Sequence, residues 1–106
     1  MMRLLVDTHL LLWATARRRR LPKTARELIE DARNEVLYSA ASLWEMAIKL
    51  GLRSSDFDVD LGELRAALTV MGFAELPITG AHAARLASLP PIHKDPFDRM
   101  LVAQSL

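Results

Sequence analysis

What most constrains this chain is a repeated change of period: short apolar runs alternate along it with segments whose apolar residues recur at helical spacing. Strands that alternate with helices build right-handed βαβ crossovers, and these give a parallel sheet with helices packed on its faces. An α/β fold with three layers, helix on sheet on helix, is therefore expected.

The first apolar run, Arg3–Val6, predicts a strand buried on both faces and ended by Asp7. Thr8 is suited to cap the helix that follows, whose wide apolar face carries Leu10, Leu11, Trp13, Ala14 and Ala16. Pro22 suits a first helical turn, and Ala25, Leu28, Ile29 and Ala32 continue that second helix as far as Asn34. Glu35–Ser39 reads as a second strand, and Ser42–Leu50 as a third helix stopped by Gly51. A polar loop from Arg53 to Asp60 leads into a fourth helix carrying Leu61, Leu64, Ala67, Leu68 and Met71, closed by Gly72. Phe73–Ile78 is the last visible strand, and Pro77 marks it as an edge strand or a very short one. Thr79 caps a helix running to Leu89 with Ala83, Ala84, Leu86 and Ala87 inward. Asp95-Pro96 starts a final helix that continues to the end of the sequence.

With 106 residues, 51% of them hydrophobic, the chain can bury roughly 65% of its unfolded surface, so one domain spanning residues 1–106 is expected without staples. Cysteine is absent, which excludes disulfides and thiolate metal sites and agrees with a cytoplasmic location. The longest apolar stretch, Leu10 to Ala14, falls far short of the ~20 residues that span a bilayer, so no membrane association is expected. Asp7 and His9 interrupt the N-terminal apolar region and arginines follow it, which argues against a signal peptide. The net charge of +1 conceals four consecutive arginines, Arg17 to Arg20, which could hold phosphates or simply form a solvated loop.

The chemistry lies in carboxylates placed at element boundaries: Asp7 after the first strand, Glu45 in the third helix, and Asp95 with Asp98 at the start of the last. In open α/β sheets such positions face the crevice that binds ligands. Acids gathered there repel one another unless a hard cation neutralises them, and magnesium needs only one or two carboxylates and its own waters. Each acid also has a structural reading. Asp7 favours the positive end of the helix beside it, Ser42-x-x-Glu45 matches a capping box, and Asp98 stands at box spacing from Asp95. Zinc is not indicated: His9, His82 and His93 lie far apart, with His82 expected at the surface and His93 fixing the turn before Asp95. A phosphotransfer receiver is disfavoured too, because one acid rather than a pair ends the first strand and no lysine ends a later one.

Three stretches carry a resemblance: Leu4-Leu-Val-Asp-Thr-His-Leu-Leu-Leu-Trp13, Tyr38-Ser-Ala-Ala-Ser-Leu-Trp-Glu-Met-Ala-Ile-Lys49 and His93-Lys-Asp-Pro-Phe-Asp-Arg-Met-Leu-Val-Ala-Gln104. In their order and spacing the chain resembles PIN-domain ribonucleases of the VapC toxin type, from Met2 to the last residue. The resemblance implies a PIN-like fold, Mg²⁺ or Mn²⁺ as cofactor, RNA as substrate, a homodimer and a small antitoxin partner. It puts Asp7, Glu45 and Asp98 at the metal-binding acid positions, with Asp95 as an accompanying acid and Thr8 and Ser39 as polar neighbours. Cleavage would use a metal-activated water, with Lys94, Arg99, Arg17 and Arg18 as candidate phosphate contacts. Family members continue into a fourth strand bearing a further acid and often a fifth strand, so this chain is expected to lack the last one or two. The alternative expectation is accordingly a truncated, non-cutting protein that dimerises or binds the antitoxin.

Overall fold

The computed structural model of the protein describes residues 2–16, 18–52, 59–90 and 95–106, along which strands and helices alternate as the sequence predicts. The apolar runs become β1 (Arg3–Val6), β2 (Glu35–Ser39) and β3 (Ala74–Leu76). They form a parallel sheet in the order β1-β2-β3, with Arg3 opposite Glu35, Val6 opposite Tyr38 and Ser39 opposite Leu76. The helices are α1 (Thr8–Ala16), α2 (Lys23–Glu30), α3 (Ala40–Gly51), α4 (Leu61–Val70), α5 (Gly80–Arg85) and α6 (Pro96–Ser105). Single 3-10 turns at Arg18–Arg20 and Leu86–Ser88 follow α1 and α5. Most of the loop expected from Arg53 to Asp60 lies outside the described residues.

Strand pleating sends alternate side chains to opposite faces, and the two faces are covered very differently. Val6, Val36 and Tyr38 point to one side, where they pack with Leu11 and Ala14 of α1, Leu21, Met46 of α3, Leu64 and Leu68 of α4, and Phe73. Leu11, Met46 and Leu68 are fully buried there, each worth about 1.5–3 kcal/mol relative to exposure. The other face carries Leu5, Leu37 and Leu76, which floor a cleft of about 520 Å³ walled by His82 and Arg85 of α5 and Gln104 of α6. The three layers are present, but one is thick and apolar and the other thin. β1 is consequently not buried on both faces as its apolar composition suggested: only Val6 is buried, and β1 forms the edge of the sheet.

Local chemistry sets the element boundaries. Asp7, not Thr8, caps α1: its Oδ1 accepts the Leu10 N–H at 2.8 Å and its carbonyl accepts the Leu11 N–H. Helix α2 ends at Glu30 rather than Asn34, because the Asp31 carboxylate accepts the Arg33 N–H and the Asn34 amide donates to the Leu28 carbonyl, which together form a turn. Helix α4 closes as the glycine predicts. Gly72 stands at φ +83°, its N–H donates to the Thr69 carbonyl, and the Phe73 N–H donates to the Leu68 carbonyl, a Schellman ending. Strand β3 is three residues long and at an edge, as Pro77 implied. Helix α5 is short, and the expected inward alanines Ala83, Ala84 and Ala87 are exposed, with Leu86 half-buried. Its docking is polar instead.

Two outcomes follow for stability. Gly72→Ala should cost about 1–2 kcal/mol in urea unfolding, since an L side chain strains the left-handed conformation. Gly51→Ala, at the end of α3 with open space around the added Cβ, should be neutral or slightly stabilising. A second measurement concerns acid. The Arg33 guanidinium, and then its backbone N–H, hold the Asp31 carboxyl down at about 2 against an ordinary 3.8. A depressed carboxylate stabilises the fold above its unfolded pKa, and that contribution is lost as pH falls through the folded value. The stability difference between parent and Asp31→Asn should therefore shrink as pH drops from 3.8 toward about 2. A difference independent of pH would exclude this role for the pair.

Candidate metal and nucleic-acid site

The arrangement around Glu45 follows from where α3 begins. Ser39, the last residue of β2, accepts the Ala41 N–H with its hydroxyl and so caps the helix at Ala40. Ser42 and Glu45 then lie inside the helix, and the capping box that their spacing suggested does not form. Glu45 is thereby turned across to the end of β1. The Thr8 hydroxyl lies 2.8 Å from Glu45 Oε1 and 3.0 Å from Ser42 Oγ. A hydroxyl has one proton to give, so Thr8 donates to the carboxylate and accepts from Ser42. On its other side Glu45 meets Lys49 one turn along, Nζ to Oε2 at 3.4 Å, which offsets its charge where the side chain is only 12% exposed.

A second polar junction joins α6 to the sheet. Gln104 Nε2 lies 3.3 Å from the Pro77 carbonyl, which can only accept, so the amide oxygen faces β2 and receives the Ser39 hydroxyl proton. Ser39 is fully buried, and it holds β2, α3 and α6 with one oxygen. His82 Nδ1 accepts the Thr79 N–H in a capping box and lies 3.4 Å from Gln104 Nε2, which puts the ring proton on Nε2. His82 is accordingly half-buried and engaged, in contrast to the surface position expected for it. Farther along the pair of helices, the Trp44 and Phe97 rings meet edge to face at 5.0 Å.

The predicted acids fare unequally. Asp7 is exposed beside Thr8 and uses Oδ1 for the α1 cap. Asp98 is exposed in the first turn of α6, next to Phe97, whose ring touches the neighbour of Glu45. Asp95 is turned onto its own helix, where Oδ1 accepts from the Phe97 and Asp98 amides. Among the described residues, no group of three or more Asp, Glu or His side chains is close enough together to hold a metal ion. The basic candidates are also divided. Arg99 donates to the Leu86 and Pro90 carbonyls and so joins α6 to the turn after α5. Arg17, His93 and Lys94 lie outside the described residues, as does the side chain of Arg18.

A family model for the PIN domain matches residues 4–106. The chain belongs to the PIN domain family. Comparison with curated proteins gave no match, and neither did comparison with solved structures. PIN domains are generally metal-dependent nucleases, and the acids at the strand and helix ends of this one are oxygen donors of the kind hard divalent cations take. In this PIN domain the residue that sequence reasoning passed over is Gln104. It stood at the end of a quoted motif, but a glutamine near a chain end carries no signal of burial until its partners Ser39, Pro77 and His82 are in place. No helix among the described residues is long and apolar enough to cross a membrane.

Thr8→Val tests the Glu45 junction. It keeps the shape but removes the donor to the carboxylate and the acceptor of Ser42, a side chain that is 1% exposed. A loss of about 1–3 kcal/mol in urea unfolding is expected for the stranded hydroxyl. A change of only a few tenths would mean that the junction does not order Glu45.

Proposed function

We propose that this PIN domain is a divalent-metal-dependent endoribonuclease of the VapC toxin type, acting on RNA phosphodiesters and restrained by a small antitoxin. The observation that carries the reading is the release of Glu45 from capping duty and its fixation by Thr8 beside Asp7. Among the described residues Glu45 accepts from no backbone amide, and its carboxylate is held by Thr8 from another element and by Lys49 one turn along. The donor chemistry fits Mg²⁺ or Mn²⁺, since Asp7, Glu45 and Asp98 offer only oxygen and cysteine is absent. Bound there, such a cation would lower the pKa of a coordinated water and neutralise charge on the phosphate. Thr8 orients Glu45, Lys49 offsets its charge, and Asp98 extends the acid set from α6. Arg17, Arg18 and Lys94 remain proposed phosphate contacts, and a homodimer and a cytoplasmic location belong to the same reading.

One observation favours a second reading, a PIN-like module that binds an antitoxin or a second copy without cutting. Among the described residues the acids do not form a ready group of three. The two readings differ in one assay. A fluorogenic single-stranded RNA should be cleaved in Mg²⁺ or Mn²⁺, stay intact in EDTA, and lose about 10²-fold or more of its cleavage rate with Asp98→Asn or Glu45→Gln. Cleavage at parental rate by both variants would refute the site. Absence of cleavage in either metal, alongside retained antitoxin binding, would establish the second reading.

A further inference from the structure

The carboxylate of Glu45 divides its two oxygens between partners of different kinds. Oε1 receives the Thr8 hydroxyl proton at 2.8 Å, from a threonine that is itself buried and contacts Ser42. Oε2 is left to the Lys49 ammonium, with Nζ at 3.4 Å one turn along the same helix. The two restraints differ in how readily they let go. Thr8 is short and stands at the first residue of α1, whereas the Lys49 head rides on a flexible four-carbon stem and its side chain is 45% exposed. An i,i+4 ion pair with one partner in water is a weak one. Lys49 also lies in the last turn of α3, where the helix dipole favours a cation with or without the glutamate. Its ammonium can therefore leave Oε2 and keep a favourable position.

We propose that Lys49 is a positioning residue that competes with a divalent cation for Glu45 Oε2, and so sets the concentration at which the cation binds. The inference rests on the metal-dependent reading above and deepens it by assigning control of loading to a side chain of α3 itself. An ammonium and a dication crowded onto one carboxylate oxygen repel each other, and Mg²⁺ or Mn²⁺ brings twice the charge of the lysine. Thr8 meanwhile keeps Oε1 in place, so an exchange at Oε2 needs only the lysine side chain to turn away. Lys23 provides an internal comparison. It forms the same i,i+4 pair with Glu27 on α2, at 3.9 Å, with an acid outside the proposed site.

Mn²⁺ binding to the full chain, followed through the paramagnetic resonance of the free ion, tests this without RNA or turnover. Lys49→Met should bind about threefold to tenfold more tightly than the parent, because the competing ammonium is gone. Lys49→Arg, which keeps the charge, should bind at the parental Kd or more weakly. Lys23→Met removes the same net charge elsewhere and should leave the Kd unchanged. The sequence holds three lysines, Lys23, Lys49 and Lys94, so the ¹⁵Nζ resonance of Lys49 is assigned by its loss in Lys49→Arg. Titration with Mg²⁺ should move that resonance toward the position of the exposed Lys23 in step with binding, while Lys23 itself stays in place. Lys49→Met binding no more tightly than the parent, an equal gain in Lys23→Met, or a Lys49 resonance indifferent to bound Mg²⁺ would overturn the competition and leave the metal reading standing. Absence of binding in parent and Lys49→Met alike, or binding undiminished in Glu45→Gln, would instead remove Glu45 from the metal site and take the inference with it.

Discussion

The start of α3 is the constraint on which the rest of this structure turns. With Ser39 as the cap, the helix emerges from β2 with no intervening loop, and its first three turns are fixed in rotation against the sheet. Ser42 and Glu45 then face the end of β1, Met46 enters the core, and Trp44 meets Phe97 on α6. Had Ser42 been the cap, Glu45 would have turned back to its own backbone. A shift of one helical turn thus decides whether the glutamate is a structural donor's partner or a group presented to a ligand.

Much of this was legible in the sequence because it is local. The strands β1 and β2 fall at the residues that composition picks out, since an apolar run bounded by acids or turn residues has few alternatives. Asp95-Pro96 marks the start of α6 for the same reason, as cap and fixed φ are properties of the residues themselves. Competing caps were not legible. Ser39 and Ser42 both carry a hydroxyl, and the choice falls to Ser39 because Ala40 and Ala41 are the strongest helix formers and extend the helix backwards. At α1, Asp7 and Thr8 compete likewise, and the carboxylate takes the cap while the hydroxyl is drawn into the contact with Glu45.

The burial of faces was illegible for a different reason. Leu4, Leu5 and Val6 look alike in sequence, yet only the Val6 side is closed by α1, α3 and α4. Which face receives the thick layer depends on how far apart in space the later helices land, and no pattern within β1 records that. His82 and Gln104 show the same dependence. Both are polar residues on short helices, and they are covered only because α5 and α6 cross over the ends of β2 and β3.

That asymmetry bears on the candidate site. The layer made by α1, α3 and α4 is held by fully buried leucine and methionine, each contributing about 1.5–3 kcal/mol. The α5–α6 layer is held largely by single polar contacts: Ser39 with Gln104, Arg99 with the Leu86 and Pro90 carbonyls, and Arg85 with the Ala103 and Leu106 carbonyls. Each such hydrogen bond contributes a net of about 0.5–1.5 kcal/mol, less than one of those buried side chains. Asp7 and Glu45 ride on the stable layer, while Asp98 rides on the other. The third acid of the proposed site therefore sits on the more polar of the two layers, and a ligand that bridged Glu45 and Asp98 would stabilise the α3–α6 contact by linkage. Ser39 and Gln104 hold that contact from the sheet side, with the Ser39 hydroxyl completely buried at the junction of three elements.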